Sequence, residues 1–255
     1  YFCINKINLF LKKIKSFLFY LYFGSIYIIF CIILILPIFL FVRGKKKNKT
    51  AKKIKNFWAK WMSLAIGIKT KVTFLADIDS NDNYIICANH KSYLDIVLMY
   101  LVIDHDFAFL GKSELLKWPV INIFFKRGVD IPVYRDSKTR AAECLILAEN
   151  EINKGRSVVI FPEGGWDNSE KVMRRFKNGA FQLAIDTSCP ILPVTFKNNY
   201  DLFTDHKDFS GTAKPGIANI IVHQPIIVDN LNRKDLVNLR EQTFKVINEE
   251  LKSEN

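Results

Sequence analysis

The sequence predicts an α/β fold: a mixed, largely parallel sheet flanked by helices, preceded by an N-terminal membrane-embedded helical segment. Three observations lead there. From residue 70 onward short β-rich runs alternate with helical patterns, the order that builds parallel or mixed sheets with helices packed on them. Before that point, residues 17–42 form a run of 26 without one charged side chain. The charge is also divided between these two parts. Of the 37 Lys and Arg, 13 fall in residues 1–60 with no acid among them, which leaves 24 basic against 25 acidic side chains in the remainder. The net +12 therefore belongs to the N-terminal segment. At 255 residues the chain suffices for one sizeable domain, assigned to 70–255, and a small appendage, 1–69.

That division disfavours a nucleic-acid partner, which calls for a basic face on the folded domain itself. The five cysteines (Cys3, Cys31, Cys87, Cys144, Cys189) are scattered in apolar surroundings and lack the short paired spacings of zinc sites. Reduced thiols suit a domain facing the cytosol.

Residues 17–42 exceed the roughly 20 apolar residues a transmembrane helix needs. The run is too long for the apolar core of a signal peptide, and no small-residue cleavage site follows it. Gly24-Ser25 and Pro37 are positions where it can bend, so a helix pair lodged in one leaflet stays open beside a full span. Four lysines precede the run and nine basic residues follow between Arg43 and Lys60, which puts the following chain on the cytoplasmic side. In residues 51–66, Ile54, Phe57, Trp58, Trp61, Met62 and Ala65 recur at helical spacing, with Lys52, Lys53, Lys55 and Lys60 around them. Such a helix suits the headgroup region; a solvated linker helix is the competing reading.

In order after residue 70, strands are expected at 72–75 and 84–87, a helix at 94–103, and a strand at 107–110. A helix interrupted near Pro119 covers 113–125, and a strand 129–133. Asp136 or Ser137 can cap a helix that runs to Asn153 and is closed by Gly155. Residues 157–161 read as a buried strand, 179–186 as a short helix, 191–195 and 217–223 as strands. Leu236, Leu239, Phe244, Ile247 and Leu251 mark a terminal amphipathic helix. Functional residues in such folds sit where strands hand over to helices.

Two unusual stretches lie at such handovers. The first, Asn89-His90-Lys91-Ser92-Tyr93-Leu94-Asp95, sets a histidine and an aspartate five positions apart. On a regular helix they would be about 140° apart, so they meet only if His90 lies in a loop and Asp95 near a helix start. The carboxylate would then fix the imidazole tautomer, and the other ring nitrogen could take a proton from a hydroxyl. No serine or cysteine nucleophile is marked, which points to direct attack by an alcohol. Alone, a His-x4-Asp spacing is more often structural. The second stretch, Phe161-Pro162-Glu163-Gly164-Gly165, is either a tight turn or a place where backbone N–H groups approach an anion. Arg135 is a candidate phosphate clamp, since a guanidinium grips phosphate with two prongs; its plain alternative is a surface arginine.

Taken together these residues resemble the 1-acylglycerol-3-phosphate acyltransferase family of membrane glycerolipid acyltransferases. The resemblance covers 85–227 and keeps the family's order of blocks. Asn89-His90 through Asp95 fits N-H-x4-D, Gly128 through Arg135 the second block, Phe161-Pro162-Glu163-Gly164 the third, and Ile191-Leu192-Pro193-Val194 the fourth. Gly111–Leu115 and Phe176–Phe181 also look like family sequence. The resemblance implies that His90 is the general base, that Asp95 orients it, and that Arg135, Glu163, Gly164 and Gly165 hold the acceptor's phosphate and glycerol. It implies an acyl-CoA or acyl carrier protein donor, no metal and no further cofactor. It also implies a lipid acceptor drawn from a phospholipid bilayer, at a bacterial cytoplasmic membrane with the catalytic domain in the cytoplasm. One departure stands out. The third block commonly reads E-G-T-R, and here Gly165-Trp166 occupy its last two positions. Arg174, Arg175 or Lys177 can replace the missing charge; alternatively the acceptor is another lysolipid, a lysophospholipid or lyso-aminolipid. A membrane-tethered binding protein with a retired site is disfavoured by the intact His90, Asp95, Arg135 and Glu163.

Overall fold

The apolar N-terminal run folds as one helix, α1 (Phe2–Phe41), with Pro37 inside it. This is a computed structural model, and it describes residues 2–79, 81–165, 173–204 and 211–253. The stretch Lys13–Phe41 is long and apolar enough to cross a membrane. The chain reverses after Val42, where Gly44 takes φ +67°, a conformation glycine alone adopts without strain. A 3-10 turn (Gly44–Lys46) then leads into α2 (Lys47–Ala65). The Tyr22 hydroxyl donates to the Ala65 carbonyl, so α2 runs back alongside α1.

After Gly67 the strands are β1 (Ile68–Phe74), β2 (Ile85–Ala88), β3 (Phe107–Lys112), β4 (Ile131–Val133), β5 (Ser157–Ile160), β6 (Ile191–Phe196) and β7 (Gly216–Val222). They form one seven-stranded sheet, in the order β1-β7-β6-β2-β5-β3-β4. Every pairing is parallel except β6 with β7. The helices are α3 (Leu94–Val102), α4 (Ile121–Lys126), α5 (Lys138–Ile152), α6 (Gly179–Thr187), α7 (Asn199–Leu202) and α8 (Leu236–Lys252). Strand alternation divides the core into two layers. Ile86, Ala88, Val159, Leu192 and Val194 face α2 and α3, whereas Ile85, Cys87, Val158, Ile160 and Ile191 face α5, α6 and α8.

Most expected elements fall within a residue or two of their observed bounds. The helix expected over 113–125 is instead a 3-10 turn (Ser113–Lys117) and the short α4. Val120 between them has φ +68°, which no continuous helix accommodates. Helix α7 was not foreseen. Lys55, read as a headgroup-facing lysine, is turned inward: it is 6% exposed and 2.5 Å from Asp130 Oδ2.

The outer face of α1 carries Phe17, Leu21, Ile28, Ile32, Leu36 and Phe39, all strongly exposed. Its inner face packs on the domain along most of its length. Phe19, Tyr20, Phe23 and Phe30 meet one core layer, and Leu34, Ile38 and Val42 bury against Ala51, Val120, Phe124 and Val129.

Candidate active site

Strand pairing explains why the two singled-out stretches meet. β2 and β5 are parallel neighbours with Cys87 opposite Ile160, so His90 and Glu163, each three residues further on, leave the sheet at the same edge. Asn89 secures the loop to the next strand. Its side-chain amide donates to the Phe196 carbonyl at 2.9 Å and accepts the Phe196 N–H at 2.8 Å, imitating a strand backbone beyond the end of β2.

The loop between Asn89 and Tyr93 lets His90 and Asp95 meet as their spacing required. His90 Nδ1 lies 2.9 Å from Asp95 Oδ2. The same oxygen accepts the Lys91 and Ser92 backbone N–H groups at 2.8 and 2.9 Å. Asp95 sits in the first turn of α3, where the helix dipole favours a negative charge. Its Oδ1 accepts from Asn199 Nδ2 at 2.7 Å. Asn199 is a site residue that sequence reasoning missed. It opens α7 just after β6, a place to which the handover rule points without naming the residue or its partner.

The His90 ring stacks on Phe161, with centroids 3.8 Å apart and planes within 13°. Burial lowers its pKa; the hydrogen bond and charge of Asp95 oppose this, while Arg135 and Lys91 push the same way as burial. The imidazole is thus held neutral toward lower pH than an exposed histidine. With Nδ1–H donated to Asp95, the proton-accepting lone pair lies on Nε2.

The glycine turn is ringed by cations. Gly164 and Gly165 have φ +71° and +131°. A Cβ on Gly164 would come within 2.7 Å of Lys177 Nζ, and one on Gly165 within 2.7 Å of Arg135 Nη1. Both positions take a backbone conformation that favours glycine, and the two cationic side-chain tips lie close over them. Of the three basic residues that could replace the missing arginine, Lys177 is the one laid over the turn. Arg174 joins through its backbone N–H, and Trp166 lies outside the described residues. Glu163 differs from its expected place against the acceptor. Its side chain is fully buried, with Oε1 accepting the His90 N–H and Oε2 the Arg174 N–H, both at 2.8 Å. Lys91, another residue the sequence did not single out, has its Nζ 3.9 Å from Glu163 Oε2.

Ser92 Oγ donates to the Phe203 carbonyl at 2.6 Å, and the Phe203 ring contacts Phe19, Tyr20 and Phe23 of α1 and Tyr93 of the His90 loop. The His90 loop is thereby joined to the apolar N-terminal helix.

Comparison with known proteins gives a consistent result. The family model described as Acyltransferase matches residues 69–197, half of the chain. A 1-acyl-sn-glycerol-3-phosphate acyltransferase from Borreliella burgdorferi is 33% identical over 161 residues, covering 63% of this chain and 62% of that protein. A chloroplastic enzyme of the same name from Brassica napus is 28% identical over 183 residues, covering 70% of this chain and 52% of its own. The matches thus span between half and two thirds of these relatives. The crystal structure of a 1-acyl-sn-glycerophosphate acyltransferase from Thermotoga maritima superimposes with a TM-score of 0.76 at 26% identity, covering 95% of this chain and 98% of that one.

Proposed function

The chain belongs to the acyltransferase family, and from that premise we propose that it acylates the free hydroxyl of 1-acylglycerol-3-phosphate with an acyl group from acyl-CoA or acyl carrier protein, giving phosphatidic acid. The observation that carries this reading is a buried, oriented His90–Asp95 pair on the same sheet edge as a glycine turn overlaid by Arg135 and Lys177. His90 Nε2 takes the hydroxyl proton as the oxygen attacks the thioester carbonyl. Asp95 supports the imidazolium that forms. Collapse of the tetrahedral intermediate breaks the C–S bond, and the imidazolium returns its proton to the leaving thiolate. Arg135 and Lys177 suit a phosphate dianion, Arg135 by its planar fork and Lys177 as a point charge.

The N-terminal helices fit a lipid acceptor. Embedded by its outer face in the cytoplasmic leaflet of a bacterial membrane, α1 would deliver lysolipid beside Phe203 and the His90 loop. Attachment of the inner face to the domain favours seating in one leaflet over a lone span.

Gly165-Trp166 favours the second reading, the same chemistry on a lysolipid with another head group. Replacing Lys177 separates the two. In Lys177→Ala, KM for lysophosphatidate should rise roughly tenfold, the worth of one charge-assisted hydrogen bond, with donor KM and turnover of phosphate-free monoacylglycerol unchanged. An unaltered KM for lysophosphatidate would sink the phosphate assignment.

A further inference from the structure

The mechanism above uses His90 and Asp95 and leaves a cation between them without a task. Lys91 is 7% exposed, and among the described residues its Nζ finds no hydrogen-bond partner. Burying an ammonium this way is unfavourable unless a charge partner offsets it. The partner is Glu163, with Oε2 at 3.9 Å. That carboxylate is itself in an awkward place, fully buried with Asp95 acting on it as a like charge. Burial raises its pKa, against the Arg174 and His90 N–H groups and the charge of Lys91. Both oxygens are occupied by main-chain donors, one of them the N–H of His90. The pair therefore touches the backbone that carries the general base.

We propose that Lys91 and Glu163 form a buried ionic clamp in which Lys91, a positioning residue, keeps the Glu163 carboxylate charged so that it grips the backbone N–H of His90. Asp95 and the clamp divide the labour: Asp95 turns the imidazole, and the clamp fixes the main chain from which it hangs. Losing the charge replaces two charge-assisted hydrogen bonds with weaker neutral ones, and the His90 loop loosens from the turn after β5. The clamp depends on the acyl-transfer reading only for its kinetic signature.

The groups facing Glu163 are Lys91 and His90 from the loop, Asp95 from α3 and the Arg174 N–H; Arg135 and Lys177 lie over the two glycines that follow. Glu163 acts ionised, so activity falls as pH drops through its folded pKa. Removing Lys91 raises that pKa, and the acid limb of kcat/KM should move up by about one pH unit or more. Lys91 also faces His90, so the Glu163→Gln background is the control.

The experiment uses the full chain in detergent with 15N-histidine labelling, which reports four histidine amides, alongside kcat/KM against pH. In Lys91→Met the His90 amide should exchange at least tenfold faster, with the acid limb raised; Lys91→Arg should stay near wild type in both. In Glu163→Gln, adding Lys91→Met should leave exchange unchanged and move the acid limb less than in wild type, by only the direct effect of Lys91 on His90. The clamp is overturned if Lys91→Met leaves His90 exchange at the wild-type rate. It is equally overturned if Lys91→Met shifts the acid limb as much in Glu163→Gln as in wild type, which would place its charge on His90 directly. If Lys91→Met does not fold, Lys91→Arg and Glu163→Gln decide: a Glu163→Gln amide as protected as wild type contradicts the clamp. A wild-type protein without transferase activity would end the acyltransferase reading, while exchange would still test the clamp.

Discussion

His90 is held from three sides, each by a different kind of contact. Asp95 fixes its ring tautomer, Phe161 its plane, and Glu163 its backbone. Asp95 is the busiest group, accepting from the imidazole, two main-chain N–H groups and Asn199. The imidazole and the two main-chain groups can only donate to it, whereas Asn199 also carries a buried Oδ1 without a partner among the described residues. In Asp95→Asn the new NH2 therefore either faces Asn199 Nδ2 or makes the Asn199 amide turn over and bury its own NH2 without an acceptor. The expected outcome is loss of activity together with about 1–3 kcal/mol of stability for the unsatisfied donors, read by thermal or denaturant melts. A variant that melts like wild type would contradict this network. His90 and Asp95 were legible in the sequence because their spacing encodes a loop leading into a helix start. Asn199 and Lys91 were not: nothing local to Asn199 says which carboxylate its amide meets, and a lysine in a loop reads as solvated until strand pairing sets Glu163 beside it.

At the scale of elements, hydrophobic period and turn residues located the strands and most helices, since those signals are local. The pairing order β1-β7-β6-β2-β5-β3-β4 and the single antiparallel partnership of β6 and β7 were not legible, because they depend on which edges meet. Helix α2 shows how a correct period can still misplace a side chain. Lys55 lies on what reads as its polar face, yet its ammonium pairs with Asp130 and lies 4.6 Å from the centre of the Phe124 ring. Asp130 Oδ1 in turn accepts the Phe109 N–H, so this ion pair ties α2 to β3. Lys55→Met leaves Asp130 buried and uncompensated, at a cost of about 3–5 kcal/mol. Chemical denaturation of the detergent-solubilised protein checks this, and an unchanged midpoint would mean that the pair does not anchor α2.

Across the whole molecule, charge and apolar surface are laid out for one orientation. The basic N-terminal region and the exposed face of α1 suit an anionic bilayer, while the nearly neutral domain needs no further attraction to it. Arg127 joins the two parts. Its guanidinium donates to the carbonyls of Ile38, Phe39 and Val42 at the end of α1, a favourable place for a cation. The site thus stands on a scaffold bound along the helix whose exposed apolar face suits lipid, consistent with an acceptor taken from the bilayer. The most direct test is acyl transfer by the purified chain, given acyl-CoA and acyl carrier protein donors and a mixture of lysolipid acceptors, compared with His90→Ala. The expected result is phosphatidate from lysophosphatidate in the wild type, and a rate reduced roughly 10²–10⁴-fold in His90→Ala with its fold intact. Turnover confined to a different acceptor, or wild-type rates in His90→Ala, would contradict the account.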